Sequence, residues 1–463
     1  MYDLLIIGSG PGGYVAAIRA GQYGLKVGVI EKDPYLGGVC LHVGCVPTKS
    51  LLYSAEIYEH FLHPEEHGIS IQSLTLDWGR VQQRKQQIVD KHAKGVAFLF
   101  KKHKVETITG YGRLKGGGRI EVEGRDGKRE LTAKSIILAT GSEARMLPGL
   151  QPDAERILTN IEILKLPNIP KSLAIIGAGA VGVEFASIYR RFGSEVTILE
   201  MLPRVVPLED EEISAELARS FRKQGIAMQT GARVEKVEKR ADGVALEFLD
   251  SDGKAQKLAA ETLLVAVGRK PNTESIGLEN TAIKTDRGFI PVDPWMATAE
   301  PNIYAIGDIV AASPQLAHVA SMEGLVAVGR IAGKPARPVN YRRIPGCTYC
   351  EPQIGSVGFT EAQAKAAGYD VKIGKFPMAA NSKSSILGNH AGFVKVVADA
   401  KYGEILGVHI IGPSATELVA EAVAAMEAEA TVETLMQTIH AHPTLSEAMG
   451  DAFNAVYGLS INA

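Results

Sequence analysis

Two Gly-rich strand–turn–helix–strand units set 169 residues apart, and a change of pattern after Asn340, predict an α/β chain. Its expected architecture is two Rossmann-like, doubly wound domains followed by a C-terminal α+β domain. At 463 residues the chain is too long for one core and suggests about three domains.

In the first unit, the apolar run Leu4–Ile7 reads as a buried parallel strand. Gly8-Ser9-Gly10-Pro11-Gly12-Gly13 is the turn, Tyr14–Tyr23 a helix and Val27–Glu31 the next strand. Gly8, Gly10 and Gly13 let the chain turn tightly and present a helix N-terminus to a pyrophosphate. Glu31 is placed to accept hydrogen bonds from ribose hydroxyls. Residues 51–103 read as mostly helical, and Val105–Leu131 as strands with turns at Gly116–Gly118 and Asp126-Gly127.

The second unit repeats this order. Leu173–Ile176 is a strand, Gly177–Gly182 a turn, Val183–Phe192 a helix and Val196–Glu200 a strand. Glu200 follows Gly177 by 23 positions, as Glu31 follows Gly8. Two such units imply two dinucleotides. At the second site Gly177, Gly179 and Gly182 would cradle the phosphates. Glu200 suits the ribose diol of NAD and repels the extra phosphate of NADP, although Arg204 lies four residues on. Arg269–Asn272 reads as a crossover linker after Leu263–Gly268, and Ile303–Ile306 is a strand ending at Gly307-Asp308. Beyond Asn340, strands Phe393–Val397 and Glu404–Ile411 mix with Ala-rich helices Thr416–Ala428 and Val432–Thr438. Their broad apolar faces suit an oligomer interface as well as a core.

Fifty basic and 52 acidic side chains nearly cancel, so nothing favours nucleic acid or a membrane surface. No apolar stretch is long enough to span a bilayer and no signal core precedes Leu4, which leads us to expect a cytoplasmic protein. Four cysteines are too few for a secreted disulfide scaffold. Cys40 and Cys45 lie in Gly37–Lys49, flanked by Gly38, Gly44 and Pro47. Two thiols that close can cycle between dithiol and disulfide, and beside a flavin they can exchange electrons with it. Zinc would need two more ligands at matching spacing, so no metal is expected. Cys347 and Cys350 sit in a strand-like stretch and read as structural. Near the C-terminus, Pro443 is expected to start a helix, with Thr444 and Glu447 at capping spacing and His440 as a neighbour. Glu447 could orient His442 and stabilise its charged form.

Taken together the chain resembles the pyridine nucleotide–disulfide oxidoreductases, in the branch that oxidises dihydrolipoyl groups. The resemblance spans the chain. Its carriers are Gly8–Gly13, Gly37–Lys49, Ala139-Thr140-Gly141, Gly177–Glu184, Gly268–Asn272, Ala305–Asp308, Leu316–His318 and His442–Glu447. It implies FAD bound by Gly8, Gly10, Gly13, Glu31, Gly141 and Asp308, with Ala317 facing the flavin ring. It implies NAD bound by Gly177, Gly179, Gly182, Glu200 and Gly268, and Lys49 paired with Glu184 beside the flavin. Cys40 and Cys45 would be the redox pair. His442 and Glu447 would form the acid–base pair, serving the cysteines of the other subunit of a homodimer. The implied division is 1–148 for the first part of the FAD domain, 149–269 for the NAD domain, 270–339 for the central FAD segment and 340–463 for dimerisation. Partners would be lipoyl domains of a 2-oxo acid dehydrogenase or glycine cleavage complex. The family usually has Asn where this chain has His42, and commonly Lys where it has Val319. The alternative is an NAD(P)H-dependent reductase of glutathione-reductase type, from which Glu200 and Leu445-Ser446 lean away. The absence of a Cys pair in Ser460–Ala463 argues against relatives that use one. A flavin scaffold without turnover is disfavoured by the intact Cys40, Cys45, His442 and Glu447.

Overall fold

The computed structural model describes residues 1–463, which cluster into two compact units. Unit 1 comprises residues 1–51, 79–145 and 268–339; unit 2 comprises 52–78, 146–267 and 340–463.

Unit 1 contains β1 (Tyr2–Ile7), α1 (Pro11–Gln22), β2 (Val27–Glu31), α2 (Gly38–Val43) and the start of α3 (Cys45–Leu62). It continues with α4 (Trp78–Lys102), β3 (Glu106–Thr109), β4 (Tyr111–Gly116), β5 (Arg119–Gly124), β6 (Gly127–Leu138) and β7 (Ser142–Ala144). Parallel strands run in the order β3-β2-β1-β6. The long β6 serves two sheets: its C-terminal half pairs with β1, while its N-terminal half pairs antiparallel with β5. The apolar run of β1 is buried because helices cover one face and the β4–β5 layer the other.

In unit 2, β8 (Ile157–Leu158), α5 (Asn160–Ile163), β9 (Ser172–Ile176), α6 (Ala180–Arg191), β10 (Glu195–Glu200), α7 (Glu211–Lys223) and β11 (Ala227–Thr230) build the second doubly wound sheet. An antiparallel meander follows: β12 (Arg233–Arg240), β13 (Gly243–Leu249) and β14 (Ala255–Ala260). With β15 (Thr262–Val265) the parallel order is β11-β10-β9-β15-β8. The chain then returns to unit 1 with β16 (Arg269–Pro271), which pairs with β7, β17 (Ile303–Ala305), which pairs with β6, and α8 (Ala317–Ile331).

The rest of unit 2 is an antiparallel sheet backed by helices. Its elements are β18 (Gly346–Thr348), β19 (Gln353–Gly358), α9 (Glu361–Ala366), β20 (Val371–Pro377), α10 (Ser382–Ile386), β21 (Phe393–Asp399), β22 (Ile405–Gly412), α11 (Ala415–Glu427), α12 (Val432–Met436) and α13 (Glu447–Ala455). The strand order is β18-β19-β22-β21-β20. Val394, Val396, Val408 and Ile410 pack one face of this sheet onto Val419, Ala422, Met449 and Phe453 of α11 and α13.

Two expectations move. Helices α1 and α6 begin at Pro11 and Ala180, inside the Gly motifs, rather than at Tyr14 and Val183. Pro11 is tolerated there because a first-turn residue needs no N–H, and Tyr14 N donates to Gly10 O (2.9 Å) to close the turn. At the C-terminal motif, α13 starts at Glu447, not Pro443. Thr444 Oγ1 donates to Ala441 O (2.7 Å), so Pro443 lies in a turn ahead of the helix.

Candidate active site

The two Gly turns are preformed. Gly8 and Gly177 have φ of +104° and +105°, a region where only glycine is unstrained. A Cβ on Gly13 would overlap Gly8 O, and one on Gly182 would overlap Gly177 O, so each helix packs directly on its turn. Gly10 and Gly179 instead have open space beside them, which leaves room for a phosphate at a helix N-terminus. The carboxylates are oriented by the turns themselves. Glu31 accepts from Ser9 N (2.9 Å), Ser9 Oγ (2.6 Å) and Asp33 N (2.9 Å). Glu200 accepts from Ala178 N (2.6 Å) and Leu202 N (2.8 Å). Both sites therefore fit a dinucleotide: room for a phosphate beside the helix N-terminus and a fixed acceptor at the end of the second strand.

The cysteine segment rests on the first turn. Gly37 N donates to Ser9 O and Ser9 Oγ, both at 3.1 Å, and a Cβ on Gly38 would collide with Gly10. Short α2 carries Cys40, α3 begins at Cys45, and the two sulfurs are bonded, with Cα atoms 4.7 Å apart. Cys45 thus sits at a helix N-terminus, whose partial positive charge favours a thiolate. Lys49 is one helical turn further on, on the same face. His42 is engaged by its neighbours: its Nε2 bonds Leu36 O at 2.8 Å, and its ring lies 5.6 Å from that of Tyr35.

Asp308 sits in a single 3-10 turn, Gly307–Ile309, and accepts from Ser142 Oγ. Arg269 Nε donates to Ser142 Oγ and its Nη2 to Ser142 O, both at 2.6 Å. Burial pushes the Arg269 guanidinium below its ordinary value, and Asp308 opposes that shift. The turn is anchored from beneath by Glu323 of α8, which is fully buried. Its carboxylate accepts from Gly307 N and Ser313 Oγ, both at 2.6 Å. Ala317 opens α8. Gly141 and Gly268 have open space beside them, and Asn272 N donates to Gly141 O (2.8 Å) to tie the two crossovers together. Val319 is 2% exposed, an apolar side chain within the fold.

In unit 2, Glu184 is 4% exposed and accepts from Tyr349 N at 3.0 Å. The Tyr349 hydroxyl is pushed up to about 12, by burial first and then by Cys347 and Glu184. Neither Cys347 nor Cys350 forms a disulfide, and burial drives the Cys350 thiol well above its usual range, which leaves it a poor nucleophile. His442 Nδ1 meets Glu447 Oε1 at 2.9 Å, and the imidazole is 71% exposed, so Nε2 can reach a substrate. Glu447 also accepts from Thr444 N (2.8 Å); that bond, then the one to His442, holds its carboxyl below the usual range. His440 is the opposite kind of residue: its side chain is 10% exposed, paired with Glu421 at 2.8 Å, and packed at Gly450.

Unit 1 therefore gathers Gly8, Gly10, Gly13, Glu31, Cys40, Cys45, Lys49, Gly141, Gly268, Asp308 and Ala317; unit 2 gathers Gly177, Gly179, Gly182, Glu184, Glu200, His442 and Glu447. Sequence reasoning missed Ser142, Arg269, Glu323 and Tyr349. Arg269 was visible only as part of a linker. Nothing in a sequence tells a buried Glu323 from an exposed helical glutamate.

A flavin- and nucleotide-linked disulfide oxidoreductase is the class that this fold and disulfide define. A family model described as pyridine nucleotide-disulphide oxidoreductase matches residues 2–324, and its dimerisation-domain model matches 344–453. The chain belongs to that family. It is 46% identical to the dihydrolipoyl dehydrogenase of Bacillus subtilis, over 100% of this chain and 99% of that one. It is 45% identical to the dihydrolipoyl dehydrogenase of Zymomonas mobilis, again over 100% and 99%. Among solved structures it is similar to LpdA from Mycobacterium tuberculosis, with a TM-score of 0.90 and 28% identity over 97% of this chain and 99% of that one. It is also similar to the HOCl-induced flavoprotein disulfide reductase RclA from Escherichia coli, with a TM-score of 0.87 and 27% identity over 98% and 99%.

Proposed function

We infer that the chain oxidises dihydrolipoyl groups to the lipoyl disulfide, with FAD as its resident cofactor and NAD as the hydride acceptor. The observation that carries this reading is the Cys40–Cys45 disulfide, set at a helix N-terminus on a preformed dinucleotide turn, in a chain about as long as the dihydrolipoyl dehydrogenases it matches. FAD, when bound, accepts the electron pair of the reduced cysteines and delivers it as hydride to NAD.

The residues act as follows. His442 takes the proton of a dihydrolipoyl thiol at Nε2, and Glu447 holds the imidazole by Nδ1 and stabilises its charge. The resulting thiolate attacks Cys40 Sγ, the Cys40–Cys45 bond breaks, and Cys45 leaves as a thiolate. The second substrate thiol attacks the substrate sulfur of the mixed disulfide, and its proton passes to Cys40 as lipoyl disulfide departs. His442 keeps the first proton and later releases it to solvent. The amides at the start of α3, with Lys49, keep Cys45 ionised.

The dimerisation-domain match supports a homodimer. Each site is proposed to join the cysteines of one subunit to His442 of the other, with Lys49 and Glu184 paired beside the flavin. The four-segment division 1–148, 149–269, 270–339 and 340–463 belongs to the same proposal. No helix is long and apolar enough to cross a membrane. A cytoplasmic location and lipoyl domains of a 2-oxo acid dehydrogenase or glycine cleavage complex complete the reading. The test is direct: yellow protein with dihydrolipoamide and NAD should produce NADH. A parallel mixture of glutathione disulfide and NADPH should not turn over; the reverse result would assign the chain to the glutathione-reductase type.

A further inference from the structure

A row with Ser356, His409, Lys395 and Lys375 crosses the C-terminal sheet of unit 2. Registered neighbours on successive strands are Gly346, Ser356, His409, Lys395 and Lys375, from β18, β19, β22, β21 and β20. Directly opposed residues share a face, so these side chains form one line. Lys395 and His409 are each 2% exposed.

Most of the partners of this row come from the nucleotide-binding part of unit 2. Lys395 Nζ meets Asp210 Oδ1 at 3.0 Å and Glu212 Oε1 at 2.8 Å, and, within the C-terminal part, Glu361 Oε2 of α9 at 2.8 Å. Lys375 bonds Glu212, and Ser356 bonds Glu209. Asp210 is the N-cap of α7, accepting from Glu212 N (3.1 Å), and is 3% exposed. Burial opposes the charge on Lys395, but its bonds to Glu212, Glu361 and Asp210 outweigh that and hold the ammonium above its ordinary value. His409 bonds Phe359 O by Nε2, leaves Nδ1 without a partner, and is pushed down by burial. Lys395 thus supplies the ammonium that meets the buried Asp210 carboxylate. A lysine so enclosed is costly to desolvate and rarely improves stability over an apolar residue. Its bonds tie β21 to the start of α7.

That arrangement reaches the nucleotide site through a short tether. Residues 201–209 join Glu200, the ribose-reading carboxylate, to Asp210. Midway, Val206 N donates to Ala178 O (2.8 Å), and Ala178 lies in the Gly turn. Val206 holds a φ of +39°, unusual for a β-branched residue and sustained only when its surroundings impose it. Ser214 Oγ of α7 donates to Val205 O (2.6 Å), binding the tether to the same helix. The loop is therefore held at its middle by the Ala178 turn and at its far end by the Lys395 clasp.

We propose that Lys395 is a positioning residue for NAD: by clasping Asp210 and Glu212 it fixes the 201–209 tether, and through it the Ala178 turn and Glu200. This rests on Glu200 and the Gly177–Gly182 turn being the NAD site. It makes the dimerisation sheet a structural support of nucleotide binding as well as of assembly.

The test uses the yellow holoenzyme and measures NAD binding by titration calorimetry, together with backbone hydrogen exchange of residues 201–210. Lys395→Met should weaken NAD binding by about twofold to thirtyfold, the range over which a residue remote from a ligand modulates it. Exchange in the tether should speed up, and Lys395→Arg should restore much of both. Unchanged NAD affinity in Lys395→Met, or faster exchange spread evenly over the chain, overturns the proposal. Should Lys395→Met fail to fold, Glu212→Gln loosens the same clasp from its more exposed end, and unchanged affinity there overturns it equally. Glu200→Ala separates the two readings. If it leaves NAD binding intact, the site itself has been misplaced; if it weakens binding while Lys395→Met does not, only the clasp fails.

Discussion

His442 and Glu447 show how much chemistry one pair of side chains can hold. Glu447 is fixed by the Thr444 amide, so His442 is oriented even though its ring is exposed. His442→Gln should lower dihydrolipoamide oxidation by about a hundredfold or more, the scale of general base catalysis. NADH oxidation by an external dye should survive, since that half-reaction needs no thiol base. Equal loss of both would point to misfolding. The Glu447 carboxyl lies below its usual range, so its contribution is complete above the ordinary carboxylate value and is lost as pH falls through the lowered one. Glu200→Ala removes an acceptor whose charged hydrogen bonds are worth about 1.5–3 kcal/mol each. The Michaelis constant for NAD should rise and discrimination against NADP should relax. Unchanged values for both would put the ribose contact elsewhere.

At the scale of elements, the two Gly turns and their carboxylates were legible because their spacing is local: Gly8 to Glu31 is one strand–turn–helix–strand unit, and so is Gly177 to Glu200. Helix starts were less legible, since Pro11 and Ala180 read as turn yet satisfy the first helical positions. The C-terminal motif was legible as a His–Glu pair but not as a turn, because Thr444 bonds backward to Ala441 instead of opening a helix. What stayed hidden depends on distant partners. Glu323 meets Gly307 across a sequence gap of 16, and Lys395 meets Asp210 across 185. No local pattern marks either. Glu323→Ala should strand the buried Gly307 amide at a cost of about 1–3 kcal/mol. The Asp308 turn should loosen, with earlier thermal unfolding and readier release of flavin fluorescence. If the variant keeps its flavin and melts like the wild type, the turn is held by something other than α8.

The proposed homodimer adds a constraint that no single chain displays. If His442 of one subunit serves the cysteines of the other, as proposed, a heterodimer of Cys40→Ser and His442→Gln chains has one doubly damaged site and one intact site. Such dimers should recover about half the wild-type rate while each mutant homodimer is nearly inactive, because a two-fold interface presents every contact twice. Different tags on co-expressed chains allow the mixed dimer to be isolated. A mixed dimer as inactive as its parents would place the whole site within one subunit.

In their grip on the strand-end carboxylate, the two halves of the internal repeat differ by one hydroxyl. Glu31 is gripped by the amide and the side chain of Ser9, whereas at the second turn Ala178 offers Glu200 an amide alone. The same Ser9 hydroxyl also accepts from Gly37 N, which locks the first turn under the cysteine segment. On the proposed assignment of FAD to the first turn and NAD to the second, one nucleotide stays through many turnovers and the other leaves after each, and the extra grip at the first turn suits the longer stay. A more rigid cradle slows departure, and affinity among related sites is set mostly by departure. Ser9→Ala would make the first turn resemble the second, and its flavin should wash out several-fold faster during dialysis against chaotropic salt, with NAD release unaltered.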